Sequence, residues 1–365
     1  MGPGLHAPLL VLVLVVVLVL VLVLLFLVVV ESQRPPGAAA VRALVTGATG
    51  FIGGRLVARL CAQGVEVVAL ARRRQPWLPE GVRLVEADIL QPASLGDAGR
   101  SCDRLYHLAA LVTFDPRRRE ELMLVNGQGT ANVLAAAQRW GVERSVVVSS
   151  AITLGVSRSA QRLLDEEAVP ADADVRRNPY LASKLAAEQA AAAAARERHV
   201  VIVNPTTTYG PGDRTLNSGT LIAEIARSRL VPVPPGGGNV VDVEDVAEGI
   251  IAAGEKGVSG QRYVLGGANL TFAQMFATIA EAVGRRPRWV RLPRWSRGPL
   301  AAAAWLAGRL TGNRFLTPQV VGDLFYFKYY SSALAERELG WAARRSFRES
   351  VERAWAFYRE EGLLP

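Results

Sequence analysis

Short apolar segments alternate with amphipathic segments from residue 41 onward. Five runs rich in Val, Leu and Ala predict strands at 41–45, 65–70, 82–87, 105–110 and 145–150. Apolar residues at helical spacing separate these runs, at 55–63, 93–99 and 129–140. Strands that alternate with helices predict βαβ units, and we therefore expect an α/β fold with a doubly wound parallel sheet.

A different pattern opens the chain, because residues 9–30 are an unbroken apolar run of Leu and Val with one Phe. As a helix this run of roughly 22 residues is about 33 Å long, enough to cross a hydrocarbon core of about 30 Å. We expect residues 1–30 to be one transmembrane anchor and 31–40 a linker. A cleaved signal and a misassigned start codon are the alternatives. Arg34 and Arg42 follow the run and no Lys or Arg precedes it, which predicts a single-pass membrane protein whose large C-terminal part faces the cytoplasm.

Composition narrows the kinds of site that the chain can carry. Two cysteines and three scattered histidines do not give a disulfide framework or a histidine-rich centre, so we expect no metal. The net charge of +9 is carried almost wholly by Arg. Because no zinc-finger spacing or RNA-binding aromatic motif accompanies it, nucleic acid is not an expected partner. An anionic membrane surface, a phosphorylated ligand and plain compositional bias remain as explanations.

A glycine-rich loop joins the first predicted strand to the first predicted helix. Gly47, Gly50 and Gly53 stand where a tight turn, a close approach of pyrophosphate and close helix packing each require glycine. The unpaired N–H groups of the following helix favour an anion. We therefore predict a dinucleotide site that also includes Thr49, together with Phe51 and Ile52 at the start of the helix.

The end of the second predicted strand bears on the choice of dinucleotide. NAD-preferring sites usually place an acidic residue there to hold the ribose 2′-hydroxyl, whereas Arg suits a 2′-phosphate. This chain has Arg72 followed by two more arginines, and no Asp or Glu. The pattern favours NADP as cofactor, with NAD as the alternative if these arginines only form a solvated turn.

Three residues in the middle of the chain predict catalysis. Ser149 and Ser150 end the fifth strand, and Tyr180 and Lys184 share one face of a later Ala-rich helix. We expect Tyr180 to act as acid/base, Lys184 to lower its pKa and to hold the cofactor ribose, and Ser150 to orient the substrate oxygen. Ser149 is the alternative to Ser150 and is more plausibly structural.

In this order and context the motifs resemble those of the extended short-chain dehydrogenase/reductases, over residues 41–363. The resemblance is closest to the group of dihydroflavonol 4-reductases, 3β-hydroxysteroid dehydrogenases and hopanoid-associated epimerase-like proteins. The segments that carry it are 46–53, 107–110, 126–130, 149–150, 180–184, 203–213 and 331–341.

The resemblance implies further contacts and a domain plan. It places Asp88 and Ile89 beside the adenine, Ala109 and Ala110 beside the nicotinamide riboside, and Pro205 at the nicotinamide face. It also implies a Rossmann-type domain at 41–204 and a smaller, mixed C-terminal substrate lobe at 205–365, with Rossmann elements returning near 240–265. A homodimer is expected only by analogy with the family.

Two departures from the sugar-nucleotide epimerases of the family concern the substrate. Thr207 stands where those enzymes commonly have Asn, and residues 236–239, just before the segment 241–246, lack the Arg that they commonly carry there. Both favour an NADP(H)-dependent oxidoreductase that interconverts a hydroxyl and a carbonyl on a small lipophilic molecule, sterol-, isoprenoid- or flavonoid-like. A sugar or nucleotide-sugar epimerase or dehydratase with tightly held cofactor is the alternative, and a non-catalytic NADP-binding membrane scaffold is the third hypothesis.

The C-terminal region is rich in aromatic residues. They either line an apolar pocket or belong to the ordinary core: Trp289, Trp295, Trp305, Phe315, Phe325, Tyr326, Phe327, Tyr329 and Tyr330. The apolar segment 299–310 has Arg at its edges and predicts a helix. That helix either rests on a bilayer or caps the lobe.

Overall fold

The structure is a computed structural model that describes residues 41–311 and 317–364. The predicted anchor and linker, residues 1–40, lie outside these ranges. Within them, no helix is both long enough and apolar enough to cross a bilayer.

Strands and helices alternate along most of the described chain. The strands are β1 (Arg42–Thr46), β2 (Glu66–Ala71), β3 (Arg83–Glu86), β4 (Arg104–His107), β5 (Arg144–Val148), β6 (His199–Pro205), β7 (Thr207–Tyr209), β8 (Leu230–Val233), β9 (Gly237–Asp242), β10 (Arg262–Leu265), β11 (Ala268–Thr271), β12 (Arg288–Arg291) and β13 (Phe327–Lys328). The helices are α1 (Phe51–Ala62), α2 (Arg119–Leu122), α3 (Gly129–Trp140), α4 (Asp172–Arg177), α5 (Pro179–Ala194), α6 (Gly219–Arg227), α7 (Val243–Lys256), α8 (Phe272–Ala282), α9 (Arg297–Thr311), α10 (Pro318–Asp323), α11 (Ala333–Leu339) and α12 (Phe347–Glu360). One π-helical turn, Met123–Gln128, joins α2 to α3.

Seven strands form one parallel sheet in the order β10-β6-β5-β4-β1-β2-β3. Their side chains are mostly Val, Leu and Ala and are buried on both faces, as parallel sheets require. Leu56 of α1 and Ile250 of α7 pack against one face. Val133 of α3 and Ala191 of α5 pack against the other. The predicted doubly wound α/β fold is confirmed.

The predicted helix at 93–99 is wrong, because this segment forms only a short 3₁₀ turn, Pro92–Leu95. Gly96 follows with φ at +43°, in the left-handed region, which ends helical geometry. The indole of Trp140 donates to the Gly96 carbonyl at 2.7 Å and covers Gly99 so closely that a Cβ there would clash. A long-range contact with α3 therefore overrides the local apolar spacing.

The chain leaves the parallel sheet after β6 and rejoins it in β10, so α7 and β10 belong with the N-terminal strands. The other strands build a smaller lobe, in which β7, β11 and β13 all pair with β9, and β8 pairs with β12. Helices α6, α8 and α12 enclose a second core around Ile222, Ile279 and Val351.

The C-terminal part of the lobe returns to the sheet. Leu339 and Trp341 are buried in the same core as α1 and α7. The Trp341 indole donates to the Asp245 carbonyl at 2.8 Å, and the Asp245 carboxylate is ion-paired with Arg345. The segment from Leu339 to Trp341 therefore packs in the hydrophobic core of the parallel sheet, apart from the second core of the lobe.

Candidate active site

The glycine loop lies at the carboxyl end of β1, where chemistry is expected on a parallel sheet. Gly47 has φ at +69°, and a Cβ there would lie 2.7 Å from the backbone nitrogen of Ala109. A Cβ on Gly53 would overlap the Gly47 carbonyl oxygen. Gly50 precedes α1 without a side-chain cap, and the first turn holds no acidic residue. The N–H groups at this end are therefore available to an anion.

A cavity of ≈ 440 Å³, here called the cofactor cavity, opens beside this loop. Its walls include eight of the predicted cofactor residues: Gly47, Thr49, Gly50, Arg72, Asp88, Ile89, Ala109 and Ala110. Small residues and bare backbone line one end, and the exposed Arg72 guanidinium lies at the end of β2. A dinucleotide fits this combination of a flat slot, an anion site and a terminal cation.

The sequence analysis missed two charged residues of the cofactor cavity. Arg118 and Glu121 both line it, and they pair through two hydrogen bonds of 2.7 Å. The Arg118 guanidinium and, more weakly, that of Arg72 hold the pKa of the Glu121 carboxyl below its usual value. Arg118 also lines the neighbouring cavity. Its only sequence signal is the run Arg117–Arg119, which is also typical of a solvated turn.

A second cavity of ≈ 770 Å³, here called the inner cavity, is lined by two of the three predicted catalytic residues. Ser150, Tyr180 and Pro205 line it together with Phe51 and Ile52 from the start of α1. These five residues come from the segment after β5, from α5, from the end of β6 and from the start of α1, and the parallel sheet brings them to one edge. Gly53 and Lys184 line neither the cofactor cavity nor the inner cavity.

Tyr180 is held rigidly at the start of α5. The Asn178 side chain accepts from the Leu181 backbone N–H at 3.1 Å and caps the helix, with Pro179 in its first turn. The Tyr180 ring is buried and packs edge-on against Phe114, with ring centroids 5.6 Å apart.

Lys184 is not among the groups that shift the pKa of Tyr180 in this structure, and its predicted effect on that phenol stays a prediction. Burial raises the pKa of the Tyr180 phenol to about 12, and only its hydrogen bond with Ser150 acts in the opposite direction. Lys184 is buried as well, and burial lowers its pKa to about 8. Its Nζ donates to the Val148 carbonyl at 3.0 Å. Desolvation penalises both charged forms, and helical spacing alone did not reveal it.

A buried carboxylate accepts hydrogen bonds from residues at and after the end of β5 and from β6. Glu188, one turn after Lys184, accepts from Ser149 at 2.5 Å, from Thr153 at 2.7 Å and from Asn204 at 2.7 Å. Ser149 is thus occupied by this network, whereas its neighbour Ser150 lines the inner cavity.

A buried histidine holds the neighbouring strand end. His107 is hydrogen-bonded through Nδ1 to Thr46 at 2.7 Å and through Nε2 to Thr130 at 3.0 Å. Burial lowers its pKa to about 3, so the ring is neutral. Thr46 also accepts from the backbone N–H of Ala109 at 3.2 Å, which fixes the loop against Gly47.

A third cavity of ≈ 620 Å³, here called the outer cavity, extends the inner one toward the lobe. The two share Phe114, Thr207, Asn217, Ser218 and Lys328. Lys328 was missed by the sequence analysis, although it is one of only three lysines in an arginine-rich sequence. Its Nζ lies 3.5 Å from the Asp323 carboxylate.

The predicted aromatic lining is mostly absent from these cavities. Tyr330 lines the inner cavity. Phe325, Phe327 and Tyr329 are buried in the packing around β13, while the three tryptophans are solvent-exposed. Phe315 lies outside the described residues. Composition alone could not separate core positions from cavity walls.

A family comparison decides the class of this site. Residues 43–266 match the model of the NAD dependent epimerase/dehydratase family. The chain belongs to this family. Accordingly, it is an NAD(P)-dependent enzyme of the extended short-chain dehydrogenase/reductase type.

Several curated relatives of this chain are named as reductases. Sterol demethylase protein B of Methylococcus capsulatus is 32% identical over 338 residues, which cover 88% of this chain and 99% of the relative. Ceramide reductase of Caulobacter vibrioides is 31% identical over 257 residues, which cover 68% and 73%.

Solved structures agree with the epimerase/dehydratase assignment. The crystal structure of gox2253 is 31% identical and superposes with a TM-score of 0.78, covering 90% of this chain and 100% of that one. MoeE5 in complex with UDP-glucose and NAD is 27% identical, with a TM-score of 0.69, covering 88% and 99%.

Proposed function

We propose that this enzyme is an NADP(H)-dependent reductase or dehydrogenase that interconverts a hydroxyl and a carbonyl on a small lipophilic substrate, sterol-, isoprenoid- or flavonoid-like. The observation that carries the proposal is the inner cavity, where Ser150 and Tyr180 face the same space as Pro205 and the first residues of α1. Ser150 and Tyr180 can bind one substrate oxygen, and apolar side chains such as that of Phe114 line the same cavity beside several threonines, Arg118 and Lys328.

The reaction assigns one role to each residue. The nicotinamide dinucleotide supplies the hydride in reduction and accepts it in oxidation. Tyr180 donates a proton to the carbonyl oxygen, or takes one from the hydroxyl in the reverse direction. Ser150 donates a hydrogen bond to the same oxygen and holds it beside the phenol.

Tyr180 is protonated near neutral pH, as reduction of a carbonyl requires. Because the buried phenol of Tyr180 has a pKa of about 12, it carries the proton that a carbonyl oxygen requires. The Lys184 ammonium, with its pKa lowered to about 8, lies against the carbonyl of Val148. We infer that this cation, once a ribose is present, stabilises the phenolate that remains after proton donation.

The cavity walls favour an apolar substrate over a nucleotide sugar. Phe114, Leu221 and Val320 line the outer cavity, which adds apolar volume to the inner one. The segment before β9, where epimerases commonly carry Arg, is closed to long side chains here. A Cβ on Gly236 would clash with the backbone carbonyls of Leu324 and Tyr326.

The cofactor cavity favours NADP over NAD. Arg72 stands at the end of β2 and lines the cavity, where a 2′-phosphate would meet its guanidinium. Glu121 is the nearby carboxylate that could oppose this preference, and its ion pair with Arg118 offsets its charge.

The experiment follows NADPH absorbance with a panel of sterol, isoprenoid and flavonoid ketones. We expect oxidation of NADPH by at least one of them, and we expect Tyr180→Phe to lower kcat about 10³-fold with nearly unchanged NADPH affinity. Tyr106→Phe is the matched control, since this buried tyrosine packs on Gly254 and lines none of the three cavities. Full activity in Tyr180→Phe, or conversion of a sugar nucleotide with no net change in NADPH, would overturn the proposal.

We also propose that residues 1–30 anchor the enzyme in a membrane with the catalytic domain facing the cytoplasm. The apolar run 9–30 and the position of Arg34 and Arg42 support this topology. We expect the full chain to stay in the membrane fraction after alkaline carbonate washing, and to be digested by protease added from the cytoplasmic side. Release by carbonate, or protection from that protease, would contradict it.

A further inference from the structure

Helix α9 presents an apolar face to solvent. Trp295, just before it, is 77% exposed, and Leu306 and Leu310 are 53% and 78% exposed. Leu306 and Leu310 are four positions apart, about one turn, so they lie along one side of α9, and Trp295 lies in the 3₁₀ turn that precedes the helix. Trp305 beside them is 52% exposed. We call Trp295, Trp305, Leu306 and Leu310 the α9 surface.

The sequence on both sides of the α9 surface carries charges of one sign. Residues 282–322 contain eight arginines and no Asp or Glu. Arg294 and Arg297 flank Trp295 in sequence, and the Arg309 guanidinium stacks on the Trp305 ring at 5.0 Å. Exposed Trp and Leu interleaved with Arg are typical of helices that lie in a membrane interface, where rings and aliphatic stems reach the acyl chains and guanidinium groups meet phosphate.

The α9 surface adjoins the outer end of the substrate space. Helix α9 packs against α10, and the Arg297 guanidinium lies 4.6 Å from the Tyr326 ring. Pro318 and Val320 of α10 line the outer cavity. An apolar molecule that leaves a bilayer beneath α9 would therefore meet the cavity wall formed by α10.

We propose that the α9 surface docks on an anionic lipid bilayer, with α9 parallel to the membrane plane and the outer cavity next to the lipid. A second copy of this chain is a poorer occupant, because a symmetric contact would oppose two arginine-rich segments that bring no carboxylate of their own. An anionic headgroup layer provides the missing charge. The docking does not depend on the proposed reaction.

Tryptophan fluorescence tests the docking in the full chain. All seven tryptophans lie after residue 40, so the apolar run at the N-terminus contributes no signal. The probe is a vesicle of phosphatidylglycerol and acyl-chain-brominated phosphatidylcholine in equal parts, since bromine quenches tryptophan only at close range. We expect marked quenching in the parent chain, and a loss of about half of it or more when Trp295 and Trp305 are both replaced by Phe.

Matched variants separate the α9 surface from general adhesion. Trp77→Phe removes another exposed tryptophan, 40% exposed, and should leave the quenching by lipid unchanged. Leu306→Asp should weaken it several-fold, whereas Val258→Asp, at a similarly exposed position (56%) after α7, should not. Vesicles of zwitterionic lipid alone should quench less.

Three outcomes would overturn the proposal. They are equal quenching in the parent and in the Trp295→Phe/Trp305→Phe variant, equal effects of Leu306→Asp and Val258→Asp, and self-association through α9 that Leu306→Asp abolishes while quenching persists. Because the assay needs no substrate or cofactor, its failure leaves the reductase proposal standing, and an inactive enzyme leaves the docking test valid.

Discussion

The cofactor cavity and the outer cavity are built in opposite ways. Much of the cofactor cavity comes from chain close in sequence to the ends of β1, β2 and β4, where Gly47 and Ala109 meet at backbone contact distance. The outer cavity draws on residues as far apart as Phe114, Leu221 and Lys328. The first is rigid and specified by short motifs, whereas the second depends on long-range packing. We therefore expect substitutions beside the cofactor cavity to impair cofactor binding strongly. Substitutions in the lobe should change the preferred substrate with less effect on the rest of the protein.

Of these tests, the largest effect on cofactor binding should come from adding one methyl group in the glycine loop beside the cofactor cavity. Gly53→Ala places a Cβ against the Gly47 carbonyl, so we expect about a 100-fold loss of NADPH affinity or a clear drop in Tm. Gly54→Ala is the matched control, because its Cβ would lie 3.7 Å from the nearest atom, the Ala48 oxygen. Because Gly54 lies inside α1, that change should stabilise the protein slightly. Isothermal titration and thermal unfolding measure both variants, and equal behaviour would refute the local rigidity.

A smaller effect should appear in the pH dependence of stability. It should come from His107, at the end of β4 next to the glycine loop. Burial lowers the pKa of His107 from 6.5 to about 3. The imidazole therefore binds a proton below pH 6.5 in the unfolded chain, but stays neutral down to about pH 3 in the folded chain. Stability should therefore fall as pH falls from 6.5 toward 3, by about 2 kcal/mol for this group between pH 7 and pH 5. The variant His107→Gln lacks this titration. Urea unfolding of both proteins should show a shallower acid loss in the variant, and parallel curves would contradict the assignment.

The smallest effect should come from the exposed end of the cofactor cavity. Arg72→Asp should shift the ratio of NADPH to NADH affinity toward NADH by about tenfold, since it replaces a phosphate partner with a ribose partner. Arg74→Asp, which changes a neighbouring exposed residue outside the cavity, controls for charge. Competitive titration of the two cofactors gives the ratio. No shift in Arg72→Asp would remove the argument for NADP.

The sequence predicted the rigid region well and the outer region poorly, for a physical reason. Glycine loops, strand ends and a Tyr–Lys helix are local patterns, and the residues Gly47, Arg72 and Ser150 all line the expected cavities. Burial is not local, so neither the raised pKa of Tyr180 nor the isolation of Lys184 from the cavities followed from spacing. Lys328 depends on how β13 pairs with β9, which no short motif specifies.

The packing of Trp341 against the core of the parallel sheet has a consequence for how the protein unfolds. Since this indole packs in the same core as α1 and α7, the C-terminal segment that carries it cannot detach without uncovering apolar residues of the nucleotide-binding half. Heat or denaturant should therefore abolish cofactor binding and the lobe in a single cooperative step. Selection for a new substrate is in this way constrained by the integrity of the nucleotide-binding half.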